Sequence, residues 1–112
     1  MLEALNEIER LLRSHGHTYH ANLAGIAAVL SVKDPIAACR AINSDDWWQG
    51  ADSLAALDLG LSGGFTSQAR QDAHALRLAL IDVFSTLLAH GECNEAGEIV
   101  VSQFRKWLES HM

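Results

Sequence analysis

Apolar residues recur every three or four positions along most of this chain, a period that suits one face of a helix and not the alternation of a strand. Leu2, Leu5, Ile8 and Leu12, with Leu11 beside them, open the series. Tyr19, Leu23, Ile26 or Ala27, and Leu30 continue it. Ala73, Leu76, Leu80, Val83 or Phe84, and Leu87 form the longest stripe, which Leu78, Ile81 and Leu88 widen. Val100, Val101, Phe104, Trp107 and Leu108 supply the inner side of a last helix. Alanine and leucine dominate, β-branched residues are sparse, and Pro35 is the only proline, so propensity points the same way.

The punctuation between stripes sets the helix ends. Gly16 stops the first helix, and Thr18 is an N-cap for the second. The small residues Ala24, Gly25 and Ala28 let another helix approach closely. Asp34-Pro35 is a start signal, an acid at the N-cap followed by proline at the first helical position. That third helix runs through Ile36, Cys39 or Arg40, and Ile42 to about Asn43, where Asn43 to Asp46 reads as a break. Asp52 or Ser53 caps a short turn through Leu54 and Leu57, and Gly60, Gly63 and Gly64 end it in a loop. A long helix starts at Thr66 or Ser67 and stops at Gly91; Asn94 or Glu95 opens the last one. The expected fold is all-α: one domain over residues 1–112, an antiparallel bundle of about five helices joined by short loops.

Composition excludes several functions. The 112 residues suit one compact domain, and 49% apolar with 20% charged residues supports a core and argues against disorder. Asp and Glu outnumber Lys and Arg by 14 to 8, a formal charge of −6. That balance argues against a nucleic-acid groove and suits a basic protein partner. The apolar residues at the start are interrupted by Glu3, Glu7, Glu9 and Arg10, unlike a signal peptide, and the stretch Ala21 to Val32 is too short to span a membrane. Cys39 and Cys93 form no metal or redox motif and are expected to be buried free thiols in a reducing cytoplasm.

Catalytic signatures are missing. His15, His17 and His20 put three imidazoles in six residues, but Gly16 breaks the helix between the first two, no HExxH accompanies them, and no metal or other cofactor is expected. His74, near Asp72 and Arg70, and His90 have no nucleophile at a motif spacing, and Ser53 lies outside any GxSxG elbow. Asp45, Asp46 and Asp52 do not match a calcium loop, and Ser62-Gly63-Gly64 lacks the lysine of a phosphate loop. The most distinctive stretch is Asn43-Ser-Asp-Asp-Trp47-Trp48-Gln-Gly-Ala-Asp52-Ser53. Adjacent side chains diverge, so one tryptophan is expected to hold this loop to the bundle while the other meets a partner inside a rim of Asp45, Asp46 and Asp52; the alternative, commoner for such residues, is that both anchor the loop to the core.

A set of these features resembles one family. Leu11-Leu12 leads to His15-Gly16, then come an aromatic-bearing second helix and a short third helix. After these stand Trp48-Gln49-Gly50-Ala51-Asp52-Ser53-Leu54 and Leu57-Asp58-Leu59. This pattern, over Leu11 to Leu88, is similar to that of a family of short uncharacterised bacterial helical proteins, some suspected of being immunity proteins beside toxin genes. The chain departs from that pattern in carrying Ala56 where the family has an acid, and Gly50-Ala51 where it has glycine-methionine. The resemblance implies a non-enzymatic cytoplasmic interaction protein that neutralises a basic toxin. The alternatives are a structural or regulatory helical homodimer and, from another class, a histidine-rich metal-binding or hydrolytic protein.

Overall fold

Leu5, Ile8, Leu11 and Leu12 are fully buried along one face of the first helix, α1 (Leu2–Ser14), while Leu2 at its start is exposed. The opposite face carries the pairs Glu7–Arg10 and Glu9–Arg13, three and four residues apart, as helical geometry requires. The structure, a computed structural model, describes residues 1–57 and 67–110. After α1 come α2 (Thr18–Lys33), α3 (Pro35–Ile42) and α4 (Asp45–Trp48). A 3₁₀ turn (Leu54–Ala56), α5 (Ser67–Ala89) and α6 (Glu95–Ser110) follow. No strand occurs among the described residues. The expected all-α bundle is therefore the fold, with α4 an element more than expected. Asp45 and Asp46 occupy the first turn of α4, where carboxylates favour the free amides of a helix start, so the anticipated break itself coils.

The turns close as their residues demand. Gly16 takes φ +80°, which places its amide on the Arg13 carbonyl and the His17 amide on the Leu12 carbonyl. This pair of bonds satisfies the last carbonyls of α1 and reverses the chain into α2. The same two bonds end α5 at Gly91. Asp34 caps α3 by accepting from the Ala37 amide at 3.2 Å, and Asn94 caps α6 by accepting from the Gly97 amide at 2.9 Å. Thr18 is the first residue of α2, after His17 at the cap position. The expected glycine loop at Gly60, Gly63 and Gly64 and the alternative α5 start at Thr66 lie outside the described residues.

Contacts run from α3 through α2, α1 and α5 to α6, and α4 touches both the 3₁₀ turn and α6. Leu76, Leu80, Val83, Phe84 and Leu87 of α5 are buried against α1 and α6. Leu78 and Leu88 are about half exposed, a correction to the wide stripe expected, because α1 and α6 cover other faces of α5. In α6, Val101 is buried and Val100 and Phe104 pack partly, but Trp107 is 52% exposed near the helix end. In α2, Ala27 takes the core position, and Tyr19 and Ile26 face outward.

Between α5 and α6 the fit depends on a missing side chain. A Cβ placed on Gly97 would stand 2.6 Å from Phe84 Cε1 and 3.1 Å from Trp48 Cδ2. Gly97→Ala is therefore expected to destabilise the fold by about 1–3 kcal/mol through overpacking, measured by urea unfolding. Shrinking the ring in Phe84→Leu should make the same glycine substitution less costly, so the two changes should couple in a double-mutant cycle.

Candidate functional site

Trp47 and Trp48 are each only 1% exposed. The expectation that one of them faces a partner is overturned. Neighbouring side chains do diverge, but α4 is a single turn with the 3₁₀ turn on one side and α6 on the other, so both directions lead into protein. Trp48 Nε1 donates to the Ile42 carbonyl at 3.0 Å, and its ring meets Phe84 edge-on at 5.3 Å. Trp47 lies tilted against it at 6.2 Å. A buried indole needs such a partner for its N–H, and the Ile42 carbonyl, which also accepts from the Ser44 amide at 2.9 Å, supplies it.

The acids of the expected rim lie on the surface, without an exposed tryptophan among them. Asp45, Asp46 and Asp52 are exposed. The aromatic beside them is Tyr19, 61% exposed, whose hydroxyl donates to Asp46 Oδ2 at 3.4 Å. His20 Nε2 donates to the Asp52 carbonyl at 2.8 Å, tying the start of α2 to the turn after α4. Ser53 is buried and its hydroxyl donates to the Gly50 carbonyl at 2.8 Å, a contact within the turn.

The histidine cluster diverges. His15 Nε2 donates to Asp72 Oδ2 at 2.8 Å, joining the end of α1 to α5, while His20 points to the Asp52 turn. The His15 bond, seconded by Gln68, holds the Asp72 carboxyl below the usual aspartate range. No group of three or more His, Cys, Asp or Glu side chains is placed to hold a metal ion among the described residues. Cys39 is buried, and burial, with the charge of Glu92 in addition, pushes its thiol up. Cys93 is exposed, against expectation, because it lies in the turn between α5 and α6.

A feature the sequence did not disclose is a groove of about 600 Å³ between the 3₁₀ turn, α5 and α6. Leu57, Leu76, Leu80 and Phe104 give it apolar walls, and the charged side chains lining it, Arg77 and Lys106, are both cationic. The Arg77 guanidinium sits 4.0 Å from the Trp107 ring and 6.0 Å from Phe104. Stacking of this kind positions the cation but leaves its in-plane donors unused. No carboxylate among the described residues pairs with Arg77, and partial burial lowers its pKa. The available signal was an arginine set inside an apolar stripe, but the meeting of Arg77 with Trp107 depends on how α5 and α6 pack.

No family model, curated protein or solved structure matches this chain.

Two outcomes follow from these contacts. Trp47→Ala and Trp48→Ala are each expected to cost about 3–5 kcal/mol, so both should lower the thermal midpoint strongly, where separate roles would spare one of them. Asp72 has a depressed folded-state pKa, so its stabilisation is complete above the unfolded value of about 3.9 and disappears as pH falls through the folded value. Asp72→Asn should thus lower stability at neutral pH, and denaturant titrations should show the gap to the parent closing below pH of about 4.

Proposed function

We propose that this protein is a non-enzymatic interaction protein that receives an apolar, carboxylate-bearing segment of a partner in the groove between the 3₁₀ turn, α5 and α6. The observation that supports this most is Arg77, half-sunk on Trp107 with no carboxylate beside it among the described residues. A ligand carboxylate would accept its in-plane donors as a bidentate pair, while the ligand's apolar side chains meet Leu57, Leu76 and Phe104. Arginine and tryptophan are also the side chains on which binding energy most often concentrates.

Immunity against a basic toxin is the narrower form of the same reading. Its support is the family resemblance together with the formal charge of −6 and the exposed Asp45, Asp46 and Asp52. A basic partner would meet those acids outside the groove. A toxin gene next to this one, and survival of cells that express both, is the outcome that narrower form requires.

The groove is tested with short helical peptides that carry leucines at helical spacing and one flanking glutamate, against the same peptides with lysine in its place. Trp107 is half exposed while Trp47 and Trp48 are buried, so its fluorescence reports occupancy of the groove. The glutamate peptides should bind and the lysine peptides should not. Arg77→Ala, with its helical circular dichroism retained, should weaken binding by roughly tenfold or more, as loss of a charged hydrogen-bonded pair does. Binding indifferent to the peptide's charge, or none by either set, would overturn the reading.

A further inference from the structure

The outward face of α2 is uncharged and, apart from the exposed Asn22, largely apolar. Tyr19, Ile26, Val29 and Val32 are 61%, 59%, 55% and 68% exposed, and Ile36 at the start of α3 extends the surface. No Asp, Glu, Lys or Arg occurs between Tyr19 and Val32, although such residues make up 20% of the chain. Exposed apolar surface of this continuity marks an interaction site. α2 packs on α1 and α3 and leaves this face uncovered.

The ends of the stripe carry opposite charges. At its start, the Asp46 carboxylate lies 3.4 Å from the Tyr19 hydroxyl. At its end stands Lys33, exposed and without a carboxylate partner among the described residues. The neighbouring Asp34 is engaged in capping α3. Beside the middle, Glu9 and Arg13 neutralise one another, and Arg13 also donates to Asn22. The stripe is therefore uncharged, flanked by a neutral pair, with negative and positive poles about 21 Å apart at 1.5 Å per residue.

We propose that α2 forms the seam of a homodimer in which two copies of this helix run antiparallel about a twofold axis at Ile26. That residue is the midpoint between Tyr19 and Lys33 in the sequence. Antiparallel pairing about it lays Lys33 of each copy at the Tyr19–Asp46 end of the other, so both poles are matched twice. Such self-complementarity is what a twofold interface demands of a single surface. Ile26 packs on its own mate, and Val29 on the region of Leu23. This inference uses a different face from the groove and stands or falls separately.

Sedimentation equilibrium of the full chain tests it. The parent protein should be dimeric. Ile26→Glu, which sets two carboxylates face to face at the axis, should yield a monomer with unchanged helical circular dichroism. Lys33→Glu and Asp46→Lys should each weaken association by roughly tenfold or more at low salt, and combining them should restore it, since the pole charges then match again. A monomeric parent at the highest soluble concentration would overturn the proposal. So would a dimer that survives Ile26→Glu, or a double variant no stronger than either single one. Binding of a monomeric parent to neutral phosphatidylcholine vesicles would reassign the stripe to a lipid surface and overturn the dimer too.

Discussion

Much of this molecule is organised around the hydrogen bond from the Trp48 indole to the Ile42 carbonyl. That bond lets a large ring with a polar atom be buried completely, where an unpaired N–H would cost several kcal/mol. It fixes α4 to the end of α3. The same ring then takes Phe84 of α5 on its side and the bare backbone of Gly97 in α6 close to its face. Through Trp48, segments far apart in the sequence become one core. The conformation of α4 alone does little to secure the position of the ring; a single helical turn is marginal by itself, and packing is what holds it.

The parts of the fold that could be read in advance are those decided by one face. The stripe of α1 predicts its buried residues closely, because one side of that helix is apolar and the other is laced with Glu–Arg pairs. The stripe of α5 predicts Leu80, Val83, Phe84 and Leu87 for the same reason. α2 carries apolar residues on every side, so periodicity does not say which side is covered, and Ile26 and Ala27 are distinguished only by the neighbours that pack on the helix. The tryptophan pair failed for a related cause. Adjacent side chains point apart, but whether either direction is solvent depends on α6, which lies almost half the chain away. The groove is the extreme case, since its walls exist only through the way the 3₁₀ turn, α5 and α6 pack, which periodicity within any one of them does not fix.

A chain of this size buries a smaller share of its surface than a larger one. α1 is sandwiched between α2 and α5, while α6 lies at one margin and α2, packed on α1 and α3, keeps its outer face bare, so each has an apolar flank that the bundle does not reach. The two flanks differ in kind. The one on α6 is concave and cationic, suited to something of different composition. The one on α2 is convex, uncharged in its length and polarised at its tips, suited to something like itself.

The turn after α5 is held to the end of α3 by Asn43. Its amide donates to Glu92 Oε2 at 3.0 Å and to the Cys93 carbonyl at 3.2 Å, and its oxygen accepts from Asn94 at 2.8 Å. The backbone nitrogen of Ser44, which follows, donates to the Ile42 carbonyl at 2.9 Å, and the three bonds of the Asn43 side chain hold its amide in place. Hydrolysis of that side-chain amide would exchange a donor for a second carboxylate facing Glu92. A clasp built on attraction would become a repulsion at the same spot, in a place where both groups are partly withdrawn from water. Loss of that single amide would thus loosen the join between the end of α3 and the turn before α6 with every peptide bond intact.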